Sequence, residues 1–349
     1  MKIMEKVLKN IEKVDESQKA QMQEYVDGLL KPMGSLGVLE GIAVQVAGID
    51  PELFNKPTKK AVLVFAGDHG ICEEGITSAP QPVTALMTNF IANGKSGVGA
   101  ISRQAGADVI VTDVGVNATL DNPNVRNKKV RFGTGNMVKE TAMTREEAVQ
   151  ALEIGMETAL EMIDKGYNVL ATGEMGIGNT TPSSAIFSVF GNIDPQEVTG
   201  IGANLSSDLL DKKSEVIRRA IEKHQPDPQD PIDVLYKVGG LEIAAMAGAM
   251  LAGASKKVPV LIDGFISSAA AAIAVKMDPC VNDYLICSHA SAEKGAQKGL
   301  ELIGFKPYLY MDMRLGEGSG AALAFNVVDA AISMVNNMGT YAEAGIDVV

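Results

Sequence analysis

The sequence predicts an α/β fold, a mostly parallel, doubly wound sheet flanked by helices. Three observations support this. Strand-like apolar segments alternate with segments of helical periodicity, the pattern of a parallel sheet covered on both faces. Most of the strand-like segments end in a cluster of glycine and polar residues, as strands converging on one site do. The chain has 349 residues, of which 46% are hydrophobic, enough to bury a sizeable core.

The first thirty or so residues read as one or two charged amphipathic helices, which stop where Lys31-Pro32-Met33-Gly34-Ser35-Leu36-Gly37 breaks the periodicity. The strands expected next are Ala61 to Phe65, Asp108 to Thr112, Asn168 to Ala171, Val258 to Ile262, Asp283 to Ile286 and Tyr308 to Met311. Between them, Gln225 to Pro231 carries three prolines in seven residues and reads as a rigid surface loop, because strand and helix signals resume at once. From Ala321 to Asn336 apolar residues return at helical spacing. The expected division is an α/β catalytic domain over 31–320, with 1–30 and 321–349 forming a small helical subdomain.

Composition excludes several classes of function. A net charge of -12 with no basic stripe argues against nucleic-acid binding. The sequence has no apolar run expected to span a membrane, and Met1-Lys2-Ile3-Met4-Glu5-Lys6 is unlike a signal peptide, so a cytoplasmic protein is expected. Cys72, Cys280 and Cys287 are too few and scattered for a disulfide framework, and they suit a reducing compartment. His69, His224 and His289 lack metal-ligand spacing, so no metal site is expected.

The segment Thr172 to Thr181, TGEMGIGNTT, joins a strand to a helix and is rich in glycine, hydroxyl and amide groups. Such a turn offers backbone N–H groups and a helix N-terminus to a phosphate. It lacks the Gly-Lys-Ser/Thr ending of a Walker loop, and Gly173, Gly176 and Gly178 miss the dinucleotide spacing, which leaves a mononucleotide phosphate. The plainer reading is that these glycines pack strand against helix. A second glycine turn, Thr199 to Asn204, precedes Lys212 and Lys213; alone these read as solvated lysines, but beside two glycine turns one of them could pair with a dianion. Asp68-His69 leaves a strand with its side chains directed apart, which favours a structural or substrate-positioning role over a proton relay. His289 has no Gly-x-Ser-x-Gly elbow beside it, which disfavours a serine hydrolase.

Glu174 and Glu317 place two carboxylates at two strand ends. A pair of acids suits acid–base work at a glycosidic carbon. Glu317 lies among glycines in Arg314-Leu315-Gly316-Glu317-Gly318-Ser319-Gly320, just before the last apolar helix. It could therefore be a reacting group or merely an acid that favours a helix N-terminus, and that segment alone does not choose.

Taken together, KPMGSLGVLE from Lys31, FAGDHGI from Phe65, TGEMGIGNTT from Thr172, GGLEIAAMAGAMLA from Gly239, VPVLIDGFISSAAA from Val258, SHASAEKG from Ser288 and RLGEGSGAALA from Arg314 resemble the nicotinate-nucleotide:dimethylbenzimidazole phosphoribosyltransferase family. The family makes the lower-ligand nucleotide of cobamides. The resemblance implies the α/β fold with its small helical subdomain, no metal or other cofactor, and a dimer with sites near the subunit interface. That dimer would be a homodimer or a heterodimer with a paralogue. It also implies attack of an acceptor base on C1′ of nicotinate mononucleotide, with departure of nicotinate and inversion from β to α. Glu317 matches the family's general base. Glu174, Gly176, Gly178, Asn179, Thr180 and Thr181 fall on its nucleotide-binding segment, and Gly202 and Lys213 match positions near the phosphate.

Ser78, Pro80, Leu86, Met175 and Leu315 are the expected acceptor-binding residues, with Met87 adding apolar cover. Ala79 and Leu86 stand where the family more often has an aromatic residue and a glutamine. Loss of a polar contact there predicts an altered acceptor range, extending to other benzimidazoles, adenine or a phenolic compound. A phenol, with a pKa of about 10, would demand more of the base. Two rivals remain: a weakly active or non-catalytic nucleotide-binding paralogue that stabilises a partner subunit, and a nucleotide hydrolase.

Overall fold

The computed structural model describes residues 3–200 and 207–346. Strands β1 (Lys60–Gly67), β2 (Ala107–Gly115), β3 (Val125–Asn127), β4 (Val169–Met175), β5 (Val260–Ile262) and β6 (Leu285–Cys287) form one sheet in the order β3-β2-β1-β4-β5-β6. Every pairing is parallel. Helices α1 (Ile3–Lys9), α2 (Glu16–Asp27) and α3 (Val38–Ile49) precede β1, and α4 (Val83–Ala92) and α5 (Gly97–Gln104) link β1 to β2. Helix α6 (Arg145–Asp164) leads into β4. It is followed by α7 (Thr180–Gly191), α8 (Pro195–Val198), α9 (Ser207–His224), α10 (Pro231–Val238) and α11 (Leu241–Ser255). Helix α12 (Phe265–Met277) joins β5 to β6, and α13 (Ala296–Leu302) and α14 (Ser319–Asn337) close the chain.

All eight residues of β1 are buried, as expected for a parallel strand covered on both faces. Its alternate side chains serve two cores. Leu63 and Phe65 join a cluster with α6, α10, α11 and α12, while Val62 and Val64 join one with α2, α3 and α14. The α6–α11 contact depends on missing side chains: a Cβ on Gly155 would lie 1.8 Å from the Ala245 carbonyl oxygen, and one on Gly248 2.0 Å from that of Leu152. The strand order reverses direction between β1 and β4, where adjacent connections leave to opposite sides and open a crevice beyond the carboxyl ends.

The two ends of the chain meet through Leu29, which bridges to Thr340, and through the Tyr25 hydroxyl, which donates to the Val335 carbonyl (3.3 Å). Helix α1 instead packs on α6 and α11, on the other side of the sheet from α2. The Lys31–Gly37 break is held by a buried ion pair, Lys31 Nζ to Glu40 Oε1 at 2.9 Å, and Glu40 also accepts the Leu36 N–H (2.8 Å). Among the described residues, α14 is the one helix long and apolar enough to cross a membrane, and 61% of that span is buried against the protein's own core.

Two expectations about strands need correction. Tyr308 to Met311 is not a strand; it makes a single parallel bridge, Leu309 to His289. Pro307 supplies no N–H, Asp312 turns the backbone left-handed (φ 54°), and although Tyr308 and Leu309 pack against the core, Tyr310 and Met311 are exposed, so the pairing stops after one bridge. The short β3 was not anticipated, because Val125-Arg126-Asn127 carries one apolar residue and no alternation.

Candidate active site

The crevice holds a cavity of about 280 Å³ at the carboxyl ends of β4 and β5, closed by the loop after β6 and the turn before α14. Glu174, Asp263, His289 and Glu317 all contribute to its wall.

Glu317 has a left-handed backbone (φ 63°), between Gly316 (φ 84°) and Gly318 (φ 90°). A non-glycine residue in this region is strained by about 1 kcal/mol or more, so the surroundings must impose it. Three contacts do so. The Glu317 N–H donates to Glu174 Oε1 (3.3 Å), the Gly318 N–H donates to Asp263 Oδ2 (3.1 Å), and Asp263 Oδ1 accepts the N–H groups of Gly320 (2.8 Å) and Ala321 (3.0 Å). Strand β4 approaches so closely that a Cβ on Gly173 would lie 2.2 Å from the Glu317 carbonyl oxygen. Asp263 therefore caps α14, so that end of α14 does not need the Glu317 carboxylate. The Glu317 carboxylate points elsewhere, to the Val98 N–H at the start of α5 (Oε2, 3.0 Å).

Glu174 is buried, and Asn179 Nδ2 donates to its Oε2. Burial, with the nearby Glu242 carboxylate, pushes Glu174 up to about 8, so it is mainly neutral at pH 7. Beneath it His69 Nε2 pairs with Glu242 Oε1 at 2.8 Å, both side chains essentially without solvent contact. Burial opposes charge on His69, but the Glu242 carboxylate outweighs it and holds the imidazole above its usual value. Asp68 points away from this pair and accepts the Asn117 N–H (2.7 Å), in keeping with divergent directions at a strand end.

The first turn of α7 opens onto the cavity through Gly176, Gly178, Asn179 and Thr180. Lys213, on α9, reaches the same place: it is 2% exposed and its Nζ donates to Thr180 Oγ1 (2.7 Å) and the Gly200 carbonyl (3.3 Å). Burial lowers this lysine to about 8, with Glu293 acting in the opposite sense. The expectation of a solvated lysine is met by Lys212, which bonds the Glu74 carbonyl at the surface, and corrected for Lys213.

Ser78, Met175 and Leu315 line the cavity, together with Ala79, Val83 and Met87. Pro80, Leu86 and Thr181 do not: Thr181 is fully buried, and Leu86 is 54% exposed because α4 turns Val83 and Met87 inward at i, i+4. Gly202 lies outside the described residues. Among the described residues no group of three His, Cys, Asp or Glu side chains is arranged to hold a metal ion.

Sequence reasoning did not assign functions to Asp263, Glu242, Glu293 or Val98. The first three lie within the quoted motifs as Asp-Gly, Gly-Gly-Leu-Glu and Ala-Glu-Lys-Gly, which marks them as acids beside tight turns. No signal could have found Val98, because only its backbone N–H is used.

A parallel sheet whose strand ends gather a helix N-terminus, a buried lysine and two carboxylates offers an anion site beside acid–base groups, and the class of protein is given by a family model described as "Phosphoribosyltransferase", which matches residues 11–346. Similar proteins include one from Alkaliphilus metalliredigens, 51% identical over 100% of both chains, and one from Clostridioides difficile, 48% identical over 98% of this chain and 99% of that one. Both are named nicotinate-nucleotide–dimethylbenzimidazole phosphoribosyltransferase. The crystal structure of CobT from Thermus thermophilus superposes with a TM-score of 0.91 at 37% identity, covering 95% of this chain and 100% of that one. The chain belongs to the nicotinate-nucleotide–dimethylbenzimidazole phosphoribosyltransferase family.

Proposed function

We propose that this chain transfers the phosphoribosyl group of nicotinate mononucleotide to an aromatic acceptor, dimethylbenzimidazole or a variant such as a phenol. The products are an α-ribosyl 5′-phosphate and nicotinate, in cobamide biosynthesis. The observation that carries this is the shared cavity: a buried lysine beside a helix N-terminus and the Glu317 carboxylate front the same space. The phosphate is held by Lys213 at the N-terminal end of α7, where aligned dipoles favour an anion.

The acceptor nitrogen forms its bond to C1′ as the bond to nicotinate breaks, and Glu317 takes the acceptor proton. Glu174, kept neutral, adds no second negative charge beside that base. Ser78, Met87, Met175 and Leu315 surround the acceptor and keep out water, which would otherwise give hydrolysis. Ala79 in the lining leaves room where an aromatic side chain would fill it, which supports the altered acceptor range. A dimer, with itself or a paralogue, is supported by the exposed apolar side chains Met33, Leu36 and Val38. The free cysteines suit a reducing, cytoplasmic setting.

The test follows nicotinate release by the purified chain with and without an acceptor. The expected result is release that requires acceptor, with Glu317→Gln lowering kcat about 10²–10⁴-fold and nucleotide KM little changed. Equal release without acceptor, or a Glu317→Gln enzyme that keeps most of its turnover, overturns the reading.

A further inference from the structure

The backbone of Glu317 is fixed from the strand ends, but its side chain is long and could adopt several rotamers. One contact selects among them. The Val98 N–H, in the first turn of α5, has no partner within its own helix and donates to Glu317 Oε2 at 3.0 Å, across 219 residues of sequence. Both residues are buried, so water competes little for this charge-assisted bond. In the same turn the Gly99 N–H is taken by the Ser96 side chain (3.3 Å).

Gly97 lies at the centre of this contact. Its backbone is not left-handed, so conformation does not require glycine. The reason for glycine is space. A Cβ there would lie 2.4 Å from Leu315 Cδ2 and 3.3 Å from Glu317 Oε2. Leu315 lines the cavity two residues before Glu317 and passes directly over the start of α5.

We propose that Gly97 and the Val98 N–H form a seat that orients the Glu317 carboxylate for proton transfer, Oε2 being held on α5 and Oε1 offered to the acceptor. Gly97 is thus a positioning residue, acting through Leu315 and Glu317. The inference rests on the reading of Glu317 as the base. A purely structural role would make the same contacts matter for stability alone, whereas a seat makes them matter for turnover, because small displacements of a reacting group cost large factors in rate.

The experiment compares kcat, nucleotide KM and melting temperature for Gly97→Ala, Val98→Pro, Leu315→Ala, Gly97→Ala with Leu315→Ala, and Glu317→Gln. Proline is tolerated in the first turn of a helix, so Val98→Pro deletes the donor while sparing α5. Gly97→Ala and Val98→Pro are each expected to lower kcat about tenfold with nucleotide KM within about twofold. Adding Leu315→Ala to Gly97→Ala should bring kcat back to that of Leu315→Ala alone, because the atom nearest the new Cβ is gone. Wild-type kcat in both Gly97→Ala and Val98→Pro overturns the seat, as does a Gly97→Ala loss that Leu315→Ala leaves in full. An inactive Glu317→Gln beside those active variants rejects the seat alone, whereas an active Glu317→Gln rejects the base.

Discussion

On one wall of the cavity Lys213, Glu174 and Glu293 are buried charges or potential charges, held on helix α9, at the end of strand β4 and in the turn before α13. On the other, Ala79, Val83 and Met87 are carried by a surface segment whose neighbours Pro80 and Leu86 face solvent. The polar wall is costly to build, since each ionisable group gives up hydration, and Glu174 and Lys213 are tied to Asn179, the Glu317 N–H, Thr180 and the Gly200 carbonyl. The apolar wall is presented by Ala79, Val83 and Met87, side chains without polar partners, which can be exchanged while the buried Thr84, Thr88 and Ile91 keep their segment in place. Under the function proposed above, recognition of the nucleotide would fall to the framework and choice of acceptor to replaceable side chains.

The largest effect that would break this contrast is at Lys213. Lys213→Met should raise nucleotide KM about 10–100-fold, the loss of a charge-assisted contact of roughly 1.5–3 kcal/mol. It should also raise the melting temperature at pH 7. Folding lowers this lysine to about 8 from 10.5, so its charged form is disfavoured in the native state, and the cost is fully present below about pH 8. An unchanged KM would remove the polar wall's assigned role. Smaller effects belong to the apolar wall. Ala79→Phe restores the aromatic residue the family more often has there and should shift acceptor preference toward dimethylbenzimidazole about tenfold, while Leu86→Gln should alter that preference by less than about twofold, measured by competition between a benzimidazole and a phenol. A Leu86 effect larger than that of Ala79 would reverse the assignment of the two positions.

The same division explains what the sequence made legible. β1, β2 and β4 are visible as apolar runs because buried parallel strands must be apolar, whereas β3 has three residues and Tyr308 to Met311 has the right pattern but leaves the core at Tyr310. Glu174 and Glu317 stand out because glycines surround them, and those glycines answer to close approaches: Gly173 to the Glu317 carbonyl, Gly316 to Glu174 Oε1. The partners that fix them are invisible in sequence. Asp263 reaches Gly320 across 57 residues, His69 reaches Glu242 across 173, and Val98 contributes only a backbone group. The burial of Lys213 beside a solvated Lys212 is likewise a matter of which helical face meets the crevice.

The lowered basicity of Lys213 has a consequence for the proton inventory of binding. Near pH 8 the empty site holds this amine only partly protonated, and a phosphate dianion arriving beside it favours the ammonium form. Nucleotide binding then draws a proton from solution, so apparent affinity should weaken as pH rises through about 8. Titration calorimetry in buffers of different ionisation enthalpy would reveal that uptake as a buffer-dependent heat, and a heat independent of buffer would place the phosphate away from Lys213.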